Sequence, residues 1–262
     1  MKSGDSVNTF QSDRLKIRIY PDRGTLGAAA ASVVGSKMRF LLSKQSAVRM
    51  VFAAAPSQNE FLSFLAEQHG IDWTRVTAFQ MDEYLDLKGD AVQLFQHYLA
   101  ERLFKRIALR VFHSIDPHPG KPEIECRRYS LLLQEAPLDI VCLGIGENGH
   151  IAFNDPHVAD FDDPHLVKVV RLEERSRQQQ VHDGCFHRLE DVPERAITLT
   201  IPALLSGRSL YCIVPGISKS EAVSMTVRGK IDVRCPASVL RRHADAFLFL
   251  DSDSSSRLVQ FS

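Results

Sequence analysis

Leu138-Asp139-Ile140-Val141-Cys142-Leu143-Gly144-Ile145-Gly146-Glu147-Asn148-Gly149-His150 is the stretch that organises the reading of this chain. Its first six residues have the length and apolar content of a strand buried on both faces of a parallel sheet. Glycines follow at 144, 146 and 149, where a backbone without Cβ can turn sharply and come close to a ligand. Open α/β sheets bind their ligands beyond the carboxyl ends of such strands. His150 is thereby placed where chemistry takes place. Asp155, five residues on, is near enough to hold its imidazole in one orientation.

The glycine spacing also fits the G-x-G-x-x-G fingerprint of dinucleotide binding. Two features argue against that reading. The motif lies deep in the chain rather than in a first βα unit, and Pro156 ends any long helix that could offer its N-terminus to a pyrophosphate.

Outward from this stretch, short strand-like runs alternate with helix-length segments, the pattern of βαβ construction. Residues 49–54, 75–79, 109–112, 166–170, 196–200, 210–214 and 246–250 read as further strands. Residues 28–42 and 94–107 read as helices, and residues 155–165 as a loop. The expected architecture is α/β: a single-domain, Rossmann-like three-layer fold with a mostly parallel central sheet and right-handed crossovers. It spans residues 1–262, with residues 252–262 as a polar tail.

With 44% hydrophobic residues, a chain of 262 can bury one sizeable core. Lys plus Arg equals Asp plus Glu at 32 each, so no overall field draws in nucleic acid or an anionic membrane, and any anion site must be local. The five cysteines lack C-x-x-C spacing, and Cys142 and Cys212 sit in apolar runs, which favours reduced, buried thiols over a zinc site. No apolar signal core opens the sequence and no run approaches a membrane span. A cytoplasmic enzyme is the expectation.

The His150 segment resembles the motif G-[IV]-G-x-[DN]-G-H-I-[AG]-F-N-E-P of the glucosamine-6-phosphate deaminase family, relatives of the 6-phosphogluconolactonases. Similar segments follow in the family's order: Phe79-Gln80-Met81-Asp82-Glu83-Tyr84, Arg195-Ala196-Ile197-Thr198-Leu199-Thr200, Gly216-Ile217-Ser218-Lys219-Ser220-Glu221-Ala222-Val223 and Cys235-Pro236-Ala237-Ser238-Val239-Leu240. The resemblance implies an isomerising deaminase acting on a 2-amino-2-deoxyhexose 6-phosphate, the gluco or galacto epimer, to give a ketose 6-phosphate and ammonia. It implies Asp82 as the base for the C2 proton, with Glu83 structural. It implies His150 as the acid/base of ring opening, oriented by Asp155, with Asn148 where some relatives carry a second acid; Glu147 is expected to be solvated. Ser57, Gln58, Gly149, Arg177 and Lys219 are the expected substrate contacts, Lys219 and Arg177 for the phosphate. No metal or organic cofactor is implied, since proton transfer and amine departure need neither. The expected partner is a small phosphosugar, and the oligomeric state stays open.

The chain departs from the family in two places. Asp155 is one methylene shorter than the family's glutamate, a loss of reach of about 1.5 Å. The family's T-G-[GS]-T-P phosphate loop is replaced by Ala53-Ala54-Ala55-Pro56-Ser57-Gln58-Asn59, without glycine and without the threonine hydroxyl. Both departures leave Asp82 and His150 in place. Two other readings remain beside the deaminase: a lactone hydrolase of the 6-phosphogluconolactonase kind, and a sugar-phosphate sensor without turnover.

Overall fold

Residues 8–118 and 120–258 are described by a computed structural model. The strand Ile140–Leu143 (β7) lies near the middle of an eight-stranded sheet whose order is β1-β2-β11-β10-β7-β3-β4-β6. The others are β1 (Asn8–Ser12), β2 (Leu15–Tyr20), β3 (Val48–Phe52), β4 (Val76–Gln80), β6 (Val111–His113), β10 (Ser209–Val214) and β11 (Ala246–Asp251). All neighbours pair in parallel except the edge hairpin β1–β2. The expected α/β fold with a mostly parallel sheet is what the chain adopts.

The sheet is a buried middle layer because its strands are apolar on both sides. Val51, Val141, Leu143, Leu210, Cys212 and Val214 point into the core on one face. Their neighbours Met50, Phe52, Ile140, Cys142, Tyr211 and Ile213 point into the core on the other. This is the period-2 alternation of a pleated strand with both faces covered. Helices α1 (Arg23–Leu42), α2 (Asn59–Ala66) and α3 (Phe95–Arg102) supply the second face, and α4 (Pro122–Gln134) and α7 (Ser220–Arg228) the first. Helix α1 starts five residues before the expected position. Its capping box, with Asp22 accepting from the Thr25 N–H at 2.8 Å, outweighs the low helix propensity of Gly24 and Gly27.

Two features differ from the sequence reading. Residues 166–170 and 196–200 are strands as expected, but β8 (Val167–Arg171) and β9 (Arg195–Leu199) stand outside the central sheet and form a separate antiparallel sheet with the short β5 (Asp82–Tyr84). The tail expected from residue 252 begins by folding back: Ser254, Ser255 and Leu258 are buried, and Asp251 accepts from the Ser254 N–H at 2.8 Å. Residues 259–262 lie outside the described residues.

The topology sets the site. From β3 the chain steps outward through β4 and β6, then returns to lay β7 against the other side of β3, after which β10 and β11 extend the sheet the opposite way. Loops leaving β3 and β7 therefore part in opposite directions, and the crevice between them is the ligand position of such a sheet.

Gly27 marks how closely α1 and α2 approach. A Cβ there would lie 2.6 Å from the Glu60 Cβ and 3.0 Å from two backbone atoms of α2. Gly27→Ala is expected to lower stability by about 1–3 kcal/mol, read from the urea midpoint. An unchanged midpoint would show that the two helices can slide apart freely.

Candidate active site

Four adjacent strands, β10, β7, β3 and β4, deliver the walls of one cleft at their carboxyl ends. Ala53–Ala55, Ser57 and Gln58 come from β3, Met81 and Asp82 from β4, and Gly144, Gly146, His150 and Phe153 from β7. Lys219 follows β10, and Gln179 and Gln180 close the cleft from helix α5 (Glu174–His182).

His150 is buried at the floor, and its ring lies against Gly146. A Cβ on Gly146 would fall 2.1–2.4 Å from ring atoms, so only glycine leaves room for the imidazole. Gly149 has φ +87°, and a side chain there would meet the Cys235 sulfur at 2.8 Å. Its part is to turn the loop tightly against Cys235 rather than to line the cleft.

The Nδ1 side of the imidazole faces three oxygens: Asn148 Oδ1 at 2.8 Å, Ser176 Oγ at 3.0 Å and Asp155 Oδ1 at 3.1 Å. The orientation of the Asn148 amide follows from its surroundings. Its Nδ2 donates to Asp155 at 3.0 Å, Glu173 at 2.6 Å and Ser176 at 3.2 Å, so its oxygen must face His150. A carbonyl oxygen can only accept, and Nδ1 therefore carries a proton. The lone pair of a neutral imidazole is left on Nε2, the nitrogen free for proton exchange.

Asp155 has no exposed surface, yet it is held ionised. Burial pushes its pKa up, but hydrogen bonds from His150, Asn148 and Ser176 together with the imidazole's charge hold it well below the usual carboxylate range. Its second oxygen accepts the Glu173 N–H at 3.0 Å. The shorter carboxylate is compensated by partners: the Ser176 hydroxyl donates to Asp155 and also touches His150. Ser176 and Glu173 carry no motif and were not found in the sequence. Glu147 is not solvated as expected; its side chain is 14% exposed and faces His182 at 3.5 Å.

Asp82 and Glu83 diverge despite being neighbours. Glu83 accepts from the N–H groups of Tyr84, Phe95 and Gln96 at 3.0 Å each and from the Gln80 amide at 3.1 Å, closing the start of α3. Burial still pushes its pKa up to about 7 against those donors. Asp82 lines the cleft, and burial, then the charge of Glu83, raise its pKa well above the ordinary value, opposed by the Phe153 N–H. That N–H also donates to Thr198 Oγ1 at 3.1 Å. Ala152 just before it adopts φ +48°, an uncommon left-handed conformation for a residue with a side chain.

Lys219 is 4% exposed and lines the cleft, and its ammonium has no hydrogen-bond or ion-pair partner among the described residues. Burial lowers its pKa, while the charges of Asp183 and Glu147 raise it. Gln58 is locked rather than free, with its amide donating to the Ile213 carbonyl and to Ser57 Oγ at 3.1 Å each. The expected phosphate contact Arg177 lies elsewhere. Its guanidinium donates to the Leu189 carbonyl at 2.8 Å and the Val192 carbonyl at 3.0 Å, and it borders a different depression. These carbonyls belong to a turn that the side chain reaches more directly than the cleft.

Asp155, His157 and Glu173 place ligand atoms within 4.8 Å of one another. They do not form an open metal site: the Asp155 oxygens already accept several hydrogen bonds, and His157 Nε2 meets the Arg171 carbonyl at 3.0 Å. Among the described residues, no helix is long and apolar enough to cross a membrane.

A switch-point cleft with a buried histidine–carboxylate pair, a second isolated carboxylate and one unpaired lysine defines an enzyme site for small anionic substrates. A family model described as glucosamine-6-phosphate isomerases/6-phosphogluconolactonase matches residues 21–249, and the chain belongs to that family. The glucosamine-6-phosphate deaminase of Listeria innocua is 35% identical over 188 residues, 72% of this chain and 78% of that one. That of Bacillus cereus is 33% identical over 186 residues, covering 71% and 69%. Among solved structures, a monomeric glucosamine-6-phosphate deaminase superposes with a TM-score of 0.83 at 27% identity, covering 92% of this chain and 98% of that one. A 6-phosphogluconolactonase from Thermotoga maritima, with a TM-score of 0.72 at 22% identity over 90% and 98% of the two chains, shares the fold.

The depressed Asp155 carboxyl fixes a sign. Its stabilising contribution is complete above the ordinary carboxylate pKa of about 3.9 and is lost as the pH falls through the lower folded value. Asp155→Asn is expected to lower the melting temperature at pH 7, with the gap to the native protein narrowing below about pH 4. A gap that stayed constant across this range would mean that Asp155 is not ionised in the folded protein.

Proposed function

We propose that this enzyme is an aldose–ketose isomerising deaminase that converts an amino-sugar 6-phosphate, glucosamine 6-phosphate or its galacto epimer, to a ketose 6-phosphate and ammonia. The observation that carries the reading is the pairing of two proton movers with opposite electrostatics in one cleft. His150 is anchored by an ionised Asp155, while Asp82 is a lone carboxylate of raised proton affinity.

Each group suits one step. The Nε2 of His150 takes the proton of the anomeric hydroxyl and returns one to the ring oxygen, opening the pyranose; Asp155 and Asn148 keep Nδ1 protonated throughout. Asp82 then removes the proton from C2 of the open aldose while O1 gains one, giving an enolamine; delivery of a proton to C1, with loss of one from nitrogen, leaves an imine at C2. Water adds to that imine, and ammonia departs to give the ketose. Burial raises the proton affinity of Asp82 toward what a carbon acid requires. Lys219, unpaired and buried, is the charge for the phosphate, with Ser57 at the start of the α2 segment as a hydroxyl donor. Within this reading the cytoplasm is the compartment and a phosphosugar is the partner.

The test is ammonia release coupled to ketose 6-phosphate detection, with glucosamine 6-phosphate and galactosamine 6-phosphate side by side. Release from one of them is expected. Asp82→Asn should lower turnover by about 10²–10⁴-fold while ligand affinity stays within about 10-fold. Silence with both sugars in a folded sample would remove the deaminase reading and bring lactone hydrolysis forward.

A further inference from the structure

Helix α5 was expected to bring Arg177 to the substrate; what it brings instead is Gln180. This residue is 7% exposed and lines the cleft, yet its carboxamide has no hydrogen-bond partner among the described residues. Gln179 beside it shows the contrast. Its oxygen accepts the Glu147 N–H at 2.8 Å and its nitrogen donates to Asp183 at 3.3 Å. A carboxamide on the lining that no protein group engages keeps its donors and acceptor available to water or to a ligand in the cleft.

Gln180 shares the lining of the cleft with Lys219. Lys219 is the one fixed cation in the lining, and its ammonium lies within the influence of Asp183 and Glu147, which flank the last turn of α5. Those two carboxylates favour its charged form, while burial opposes it. A phosphate monoester presents three terminal oxygens, more acceptors than one ammonium fills. A carboxamide supplies two further N–H donors without adding charge.

We propose that Gln180 is a substrate-binding residue that holds the phosphate of the sugar together with Lys219. The assignment rests on the phosphosugar reading of this site. It makes the anion end a site of one cation and neutral donors, in which an amide stands in for the arginine expected from the sequence.

Two variants of matched shape test it. Gln180→Leu removes both polar atoms, and Gln180→Glu turns the donors into an anionic acceptor. KM for the amino-sugar phosphate is expected to rise about 10-fold for Leu and about 100-fold for Glu, with kcat within about 3-fold. Inorganic phosphate, titrated into the protein without substrate and followed by the phosphorus NMR signal of the phosphate itself, should lose affinity in the same order. Native phosphate affinity in both folded variants overturns the proposal. So does a loss with Leu but not with Glu, the signature of a sugar hydroxyl at this position. Phosphate binding weakened in the expected order, in a protein that releases no ammonia, supports Gln180 as a phosphate ligand and overturns the deaminase reading alone.

Discussion

A carboxylate taken wholly out of water is tolerated only when its lone pairs are filled, because the desolvation of an unpaired buried charge costs several kcal/mol. Asp155 meets that condition with donors from three separate stretches: Asn148 and His150 from the loop after β7, Ser176 from α5, and the N–H of Glu173 just before that helix. Keeping one small charge ionised therefore ties α5 to the glycine loop. It orients the imidazole, fixes which nitrogen bears the proton, and brings Gln179 and Gln180 over the cleft. The shorter acid in place of the family's glutamate changes the partners rather than the outcome, since a hydroxyl occupies the space beside it.

What could be read from the sequence was what local pattern decides. The apolar runs of β3, β7 and β10 announce a two-sided parallel sheet, and glycines beyond β7 announce a close approach that the His150 ring against Gly146 explains. The hairpin β1–β2 was equally readable in the alternation Leu15-Lys16-Ile17-Arg18-Ile19 and went unread. Which sheet β8 and β9 join was not readable, because strand pairing is settled by partners 24 or more residues away rather than by the strand itself. The same applies to side chains on α5. Ser176, Arg177 and Gln180 stand close together in sequence, and only packing decides that the first meets His150, the second a distant turn and the third the cleft.

The altered loop after β3 shows how a binding end can be rebuilt while the reactive end is kept. Alanines 53–55 are small enough to leave the crevice open without glycine, and Gln58 is pinned by the Ile213 carbonyl at the end of β10. The cleft accordingly offers neutral polar groups around one lysine, a softer arrangement than a cluster of cations and one in which hydrogen-bond geometry counts for more than net charge.

Asp82 and His150 belong to different sheets, the carboxylate to the first residue of β5 in the small antiparallel sheet and the imidazole to a loop of the large, mostly parallel one. The Phe153 N–H, donating to Thr198 on β9, joins the two beside the cleft. The carboxylate and the imidazole are thus mounted like two jaws on separate frames with a pin between them. Substitutions along β8 or β9 can therefore shift Asp82 against His150 without replacing either residue.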